Sequence, residues 1–516
     1  MTQVIFRLFV DFNDNLLFGE PSDGEDISPR LMRFETKLGM RQPFDRIAVP
    51  AEGLFYLDNA DDYFEQERSG PSYAPPLTGR YLQLAIGAGL SWTPQFTGVI
   101  RSVKLSGDGL VAEVRADGRL YYANVTADVA LYVSETVDTI MTDVLDDWRF
   151  REILQTDADD YPVAILDQQA AELDSAALAE EQYGIQLDAG IQTLPYFGDP
   201  YETPPTLLQV LSDLTYADYG WLFEDKRAYI TYYNRHHFAV SAAATIEPYT
   251  AAMLENYEYE HGGQLYNRVD IEVVPRSAQV SALVWTSELE IRIEARSVLE
   301  FKLKFTQADG RVVGVIGTPT ISNWTWYDDG NDPLEGDIAV TLIGMASGVL
   351  VQVVNENRDA GTLQIGAQIY GAVLTKGDPV TVRAEDRVSA ALYGERRHVL
   401  PTSAITDLDF AQSLAAFLVQ RWSTPLGFLR SVTLRNKDAD NVTQQTDRNL
   451  FDIIQVDLTN EIGHSNYYLI VGIQNVGDNG GYELLTTYIL CPYNFFAVLD
   501  QTGLNILDDP QTRLGL

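Results

Sequence analysis

The chain has 516 residues, with 74 acidic against 36 basic side chains and a formal net charge of −38. Such a surface repels phosphate backbones and argues against a protein that grips DNA or an anionic membrane. The length fits roughly three to five domains, and a hydrophobic fraction of 46% lets each of them bury a core. A single cysteine, Cys491, rules out a disulfide framework within the chain and argues against a cysteine-based zinc site.

Residues 1–130 read as β. The N-terminus, Met1–Val10, alternates apolar and polar residues and lacks the basic start and cleavage signature of a signal peptide. Further short runs follow at Arg46–Val49, Leu54–Leu57, Arg80–Ile86, Phe96–Leu105 and Leu110–Arg115, separated by turn signals such as Ser106-Gly-Asp-Gly109. Strands at this spacing suggest a small barrel or sandwich. From Ser134 the period changes. Val137, Ile140, Met141, Val144, Leu145 and Trp148 fall on one helical face, with Ser134 as the expected N-cap of a helix over 134–148. A second helix is expected from Thr206, with Leu207, Val210, Leu211 and Leu214 inward. Asp218–Arg235 reads as a hairpin turning at Glu224–Arg227, and 165–200 as a loosely ordered connector.

Strands return after residue 255. Asn267–Pro275 alternates cleanly, and a β-rich block over 280–375 fits an inserted sandwich. A last helix follows Thr406, with Ala411, Leu414, Ala415, Leu418 and Trp422 on one face and Pro425 as its stop. Four more strands are expected at Leu429–Leu434, Ile453–Leu458, Tyr467–Val476 and Tyr482–Leu490, and a tail without sustained period from Asn494. No apolar run reaches the ~18 residues of a membrane span, and no short repeat of fixed period is present.

Chemistry is sparse. The histidines, His236, His237, His261, His398 and His464, form no His-x-x-x-His pair. Phosphate loops, nucleophile elbows and dinucleotide fingerprints are missing. Carboxylate pairs (Asp58 with Asp61 and Asp62, Asp159-Asp160, Asp328-Asp329, Asp508-Asp509) are the chance product of an acidic chain, although a glycoside hydrolase needs two such groups in a cleft. Tyr327–Pro333 is oxygen-rich but lacks the spacing of a calcium loop, and reads as a solvated hairpin tip. Trp324 and Trp326 share one strand face, a candidate sugar platform that is more often core. No residue is assigned a catalytic, cofactor-binding or metal-binding role.

Several segments do fall into a recognisable order. Gly53–Leu57 runs into Asp58-Asn59, an acidic loop with Tyr63-Phe64, and a Pro/Gly stretch ending at Gly79. After it come Phe96-Thr-Gly-Val-Ile-Arg-Ser-Val103, the helix near 134–148, the helix from 206 leading into Tyr219–Asp225, and Leu265-Tyr-Asn-Arg-Val-Asp-Ile-Glu-Val273. Gln364–Gly371, Ser389-Ala-Ala-Leu-Tyr-Gly-Glu-Arg396 and the helix of 406–422 complete the series. This order resembles the tail hub proteins found at the tip of long-tailed phages. The resemblance covers nearly the whole chain to about residue 492, except 155–205.

The resemblance implies a mainly β, multi-domain chain with a minor α+β portion, small β-barrels and an inserted β-sandwich. The expected divisions are a first hub barrel at 1–130, completed by strands near 221–240; an α+β domain at 131–255; a second barrel or connecting strands at 256–280 and 381–405; the insert at 281–380; a C-terminal helix plus β domain at 406–493; and a tail at 494–516. It also implies a homotrimer with two related barrels per subunit, forming a pseudo-sixfold ring that adapts a sixfold tail tube to a threefold tip. Such a ring lies in the virion at the tail tip or baseplate, after assembly in the host cytoplasm. DNA and tape-measure protein pass through the bore. The implied neighbours are the distal tail protein or last tail-tube ring, the tape-measure end, and tip fibre or receptor-binding proteins. No enzymatic activity and no cofactor are expected. A β-rich carbohydrate-binding adhesin and a tail-associated glycoside hydrolase are the competing readings.

Overall fold

The computed structural model describes residues 4–493 except 13–17, 19–25, 66–75, 89–90, 128, 157–183, 192, 199–204, 236, 240–247, 307–311, 329–331, 335–337, 346–347, 401–403 and 479–482. It is mainly β. Its largest element is a sheet of twelve strands. In chain order these are β1 (Ile5–Val10), β2 (Leu31–Gly39), β3 (Glu52–Asp58), β4 (Tyr81–Ala88), β5 (Ser91–Leu105), β6 (Val111–Asp117), β7 (Tyr249–Thr250), β8 (Leu254–His261), β9 (Gly427–Arg435), β10 (Ile453–Leu458), β11 (His464–Asp478) and β12 (Glu483–Pro492). Alternation explains them: in β3, Gly53, Phe55 and Leu57 are buried while Leu54 and Tyr56 are half-buried, and β6 repeats the pattern with Ala112, Val114 and Ala116. Each fully buried Phe, such as Phe34, Phe55 or Phe96, stabilises by about 1.5–3 kcal/mol.

The sheet is a duplication. β1–β6 pair in the order β2-β3-β6-β5-β4-β1, and β7–β12 in the order β8-β9-β12-β11-β10-β7. Each later strand occupies the place of the strand six earlier. Local irregularities repeat as well. A bulge between Ile100 and Ser102 in β5 recurs between Ile470 and Gly472 in β11. Another between Leu31 and Arg33 in β2 recurs between Leu254 and Asn256 in β8. Gly79 at φ 90° donates to the Ile100 carbonyl, and Phe451 at φ 67° donates to that of Ile470. The correspondence breaks at the short β7, which runs parallel to β10 where β1 is antiparallel to β4, and at two irregularities found in one unit alone, between Leu84 and Ala85 in β4 and between Glu258 and Tyr259 in β8. No fixed-period repeat betrays the duplication in sequence, because the two units are separated by a long interruption.

The units join edge to edge. β2 runs antiparallel to the C-terminal half of β11, from Arg33 opposite Asp478 to Gly39 opposite Gly472. Met40 extends the contact by donating to the Val471 carbonyl at 2.7 Å. One core therefore runs beneath both units and takes in the buried face of the helix Leu408–Trp422. Asp407 caps that helix, accepting from the amides of Asp409 and Phe410.

Between β8 and β9 the chain makes a long excursion. Arg268–Val273 pairs with Val380–Glu385 and Arg397–Val399 in a small sheet lying against the helix Leu408–Trp422. Within that excursion, three three-stranded sheets over Arg276–Lys376 surround a separate core that includes Val351, Ile369 and Trp326. The second β unit is thus built from β7–β12, whereas the sequence reading places a second barrel at 256–280 and 381–405. Alternation marks Arg268–Val273 as half-buried but does not name its partner.

The α+β portion has its own core, formed by the helices Val137–Thr156 and Leu207–Asp218 and the hairpin Trp221–Glu224/Ile230–Tyr233. Thr206 caps the second helix by accepting from the Gln209 amide, and its buried side chains include Leu207, Val210, Leu211 and Leu214. The first helix begins at Val137, not at Ser134. Ser134 lies in the strand Tyr132–Thr136 at φ 56°, so pairing with Thr193–Phe197 takes the place of capping. The hairpin does not complete the first barrel. It pairs with Ile185–Leu187 and meets the β2–β3 connection through an Ile47–Leu222 bridge. Most of the connector expected at 165–200, and the tail from 494, lie outside the described residues.

Candidate assembly surface

The acidic loop after β3 is held from within. Asn59, fully buried, donates from its side chain to the Gly109 carbonyl at 2.8 Å and accepts from the Phe64 amide at 2.7 Å. Outside it, Arg30 grips Asp61 through two bonds of 2.7 and 2.8 Å and lies 4.0 Å from the Tyr63 ring centre. The Arg30 hydrogen bond holds the Asp61 carboxyl down at about 2. Asp58, Asp61 and Asp62 therefore form a braced turn and not a catalytic pair. Asn436 takes the place of Asn59 in the second unit: it is fully buried and accepts from the Leu484 amide at 3.0 Å. The signal for both was present as Leu57-Asp58-Asn59 and Leu434-Arg435-Asn436, two strand ends that run into the same residue.

A second cluster sits on the open face of the small sheet. Buried Asp270 is ringed by Arg268, Arg383 and Arg397 at 3.0, 2.9 and 2.6 Å. Burial raises its carboxyl, but the hydrogen bonds from Arg268 and Arg383 outweigh this and hold it below the usual range. Beside this ring the short helix Arg387–Tyr393 exposes Val388, Leu392 and Tyr393. Buried Asn267 braces the helix, donating to the Gly394 carbonyl at 2.7 Å and accepting from the Arg396 amide at 2.8 Å. The chain motif Ser389–Arg396 is thus a braced and largely exposed segment, which sequence reasoning noted only as a landmark.

The hairpin docks on the first unit through Glu224. Its buried carboxylate accepts from the amides of Arg119 and, at 3.4 Å, Ala51. Burial pushes the group up to about 7, outweighing those amides. Because the folded value lies above the ordinary 4.5, the Glu224 contribution to stability is fully present below pH 4.5 and is lost as pH rises through about 7. Thermal melts of Glu224→Gln between pH 4 and 8 are expected to lack that fall, while the parent protein shows it.

No family model matches the chain, and no curated protein matches it. Among solved structures it is similar to the 43 kDa tail protein of prophage MuSo2 from Shewanella oneidensis, at 10% identity and a TM-score of 0.47, over 95% of this chain and 99% of that one. A tail protein from Neisseria meningitidis MC58 is similar at 9% identity and a TM-score of 0.47, over 96% of this chain and 98% of the other. Prophage tail protein gp18 from Listeria monocytogenes EGD-e follows at 8% identity and 0.38, over 98% and 100%. These neighbours are tail proteins.

The remaining sequence candidates disperse. Trp326 is buried in the core of the inserted block, and Trp324 packs against that core while donating to the Gln368 carbonyl at 3.1 Å, so the two form no exposed platform. His237 stacks on Tyr233 at 3.5 Å and meets Asp188 at 2.7 Å; His398 packs on Tyr266 and Trp422; His464 reaches the Tyr468 hydroxyl at 2.5 Å. His261 lies exposed at the end of β8, and His236 is outside the described residues. Asp328 accepts from the Asp332 amide at 2.8 Å across a hairpin tip. Asp159, Asp160, Asp329, Asp508 and Asp509 fall outside the described residues. Among the described residues no group of His, Cys, Asp and Glu is arranged to hold a metal, and no helix is long and apolar enough to cross a membrane. Cys491 is buried, and burial pushes its thiol well up, which makes it inert.

An open cleft over the outer face of the first unit brings Glu52 opposite Asp117. Each acid has an arginine, Arg41 at 3.4 Å and Arg101 at 3.0 Å. Lys37 and Arg115 line the same surface, so the charges interleave as they do on a contact face. What the arrangement offers is two matching β units, braced loops and sheet edges open to pairing.

Proposed function

We propose that the chain is a structural hub of a phage tail tip, without enzymatic activity. Three copies close into a ring of six β units, which adapts a sixfold tail tube to a threefold tip and lets DNA and tape-measure protein through. The observation that carries this reading is the duplication: two six-stranded units of one strand order, already joined edge to edge within a single chain. A heterologous contact that repeats and closes generates a ring. The ordered landmarks from the Asp58-Asn59 loop to the helix Leu408–Trp422 support the same reading, and the net charge of −38 suits a bore that DNA must pass without adhering. The partners are the distal tail protein or last tail-tube ring, the tape-measure end, and tip fibre or receptor-binding proteins. Light scattering of the purified chain tests the ring directly, with an expected mass near three times 57.6 kDa. Co-sedimentation with assembled tail-tube protein tests the position. A chain that fails both, and binds or cleaves glycans instead, overturns the proposal.

A further inference from the structure

Among the edges of the duplicated sheet that carry no ladder in the described residues, two are related by the duplication. β8 pairs with β9 on one side only. β5 is covered by β6 along 99–105, but β4 and its leading loop reach only as far as Ile100 on the opposite edge, which leaves 102–105 open. In one chain these edges lie far apart in the strand order. The duplication relates them. β8 holds the place of β2, and β5 holds the place of β11. β2 and β11 are the strands that already pair where the two units join.

The geometry points to a contact between copies of this chain in which β8 of one pairs antiparallel with 102–105 of β5 in the next, repeating the β2–β11 junction. This rests on the hub reading and names its subunit interface. The register follows from the shared bulges. Leu38 opposite Ile473 becomes His261 opposite Val103, Lys37 opposite Gln474 becomes Glu260 opposite Lys104, and Thr36 opposite Asn475 becomes Tyr259 opposite Leu105.

The chemistry of these positions agrees. Lys104 is exposed, and among the described residues neither Lys104 nor Glu260 makes an ion pair; the register sets them across from each other. Glu258 and Glu255, in contrast, are engaged sideways by Arg430 at 3.7 Å and by Arg435 and Lys437 at 3.5 and 3.6 Å. Tyr259 is exposed, and Val103 and Leu105 are only partly buried; all three would be covered. Glutamates along an open edge also discourage indiscriminate strand pairing, which leaves a complementary edge as the preferred partner.

The test is a cross-link on the full chain. With Cys491 buried, Lys104→Cys combined with Glu260→Cys is expected to give disulfide-linked species up to a closed trimer under mild oxidation. Each single variant alone is expected to give none, because the contact is heterologous. Charge reversal reads the same contact without oxidation. Lys104→Glu is expected to raise the concentration for half-assembly by about 10-fold or more, through like charges repeated at three seams, and adding Glu260→Lys is expected to restore it. An oligomer that forms without these links, or single variants that cross-link, overturns this interface while leaving the hub reading intact. A parent chain that stays monomeric at every concentration overturns the copy-to-copy contact; co-sedimentation with tail-tube protein then decides the hub reading separately.

Discussion

Asp218→Ala is expected to destabilise the α+β portion by about 3–5 kcal/mol, because it removes one partner of a buried ion pair. Asp218 ends the helix Leu207–Asp218, and its carboxylate meets Arg235 at 2.5 Å with both side chains fully buried. It also accepts from the Tyr232 hydroxyl at 2.5 Å. Removing the carboxylate strips a buried guanidinium of this counter-charge, and the low-dielectric surroundings do not replace it. Arg235 also lies 5.4 Å from the Phe410 ring centre, so the disturbance reaches the helix under the large sheet. Urea titration followed by tryptophan fluorescence should place the midpoint well below that of the parent protein. Replacing the pair together, with Asp218→Leu and Arg235→Met, should recover most of the loss, because an apolar pair of similar volume leaves no charge behind. A loss below about 1 kcal/mol for the single variant would show that the pair does not hold this region together.

Gly472→Val is expected to part the two β units. Gly472 faces Gly39 across the junction, and a Cβ there would come within 2.5 Å of the Met40 carbonyl oxygen and 3.0 Å of the Ile489 side chain. Gly39 is held at φ 86°, a left-handed conformation that favours glycine, with the Val471 carbonyl at 2.5 Å from its own would-be Cβ. The nearer obstacle, the Met40 carbonyl, is backbone, so no rotamer change relieves it. Overpacking of this kind typically costs about 1–3 kcal/mol, occasionally more. The readout is local: amides of Phe34–Leu38 should exchange with solvent faster, and proteases should cut the β2–β3 connection sooner. Unchanged exchange in β2 would mean that the junction absorbs the side chain.

The sequence made the helices from 206 and 408 legible because each has one unbroken apolar face, and both faces are buried. Most strands were legible for the same reason at period two. The start of the helix at Val137 was not, because Ser134 is a good cap in isolation and only its pairing partner, distant in sequence, makes it a strand residue. β2 and the helix Ala439–Asp447 escaped notice: β2 has charged residues at Arg33, Glu35 and Lys37, and the helix has only Val442 as a buried apolar residue. The duplication was hidden more deeply. Topology rests on alternation, turns and a few shared points such as Asn59 and Asn436, and these leave no repeat visible in the residues themselves. The assembly surface is legible only once strand order is known, since an open edge is a property of neighbours and not of residues.

The junction between β2 and β11 also sets a timetable for synthesis. β2 is complete early, but its partner emerges only after roughly 360 further residues beyond the first unit, which at about 5–20 residues per second leaves that edge waiting for some 20–70 s. During this interval the first unit presents a half-finished sheet beside other nascent chains on the same message. Lys37 and Glu35, alternating along the waiting strand, make it a poor template for a stranger. Yield of correctly folded chain should therefore depend on translation speed and on protection of the emerging first unit, more than on the final stability of the finished sheet.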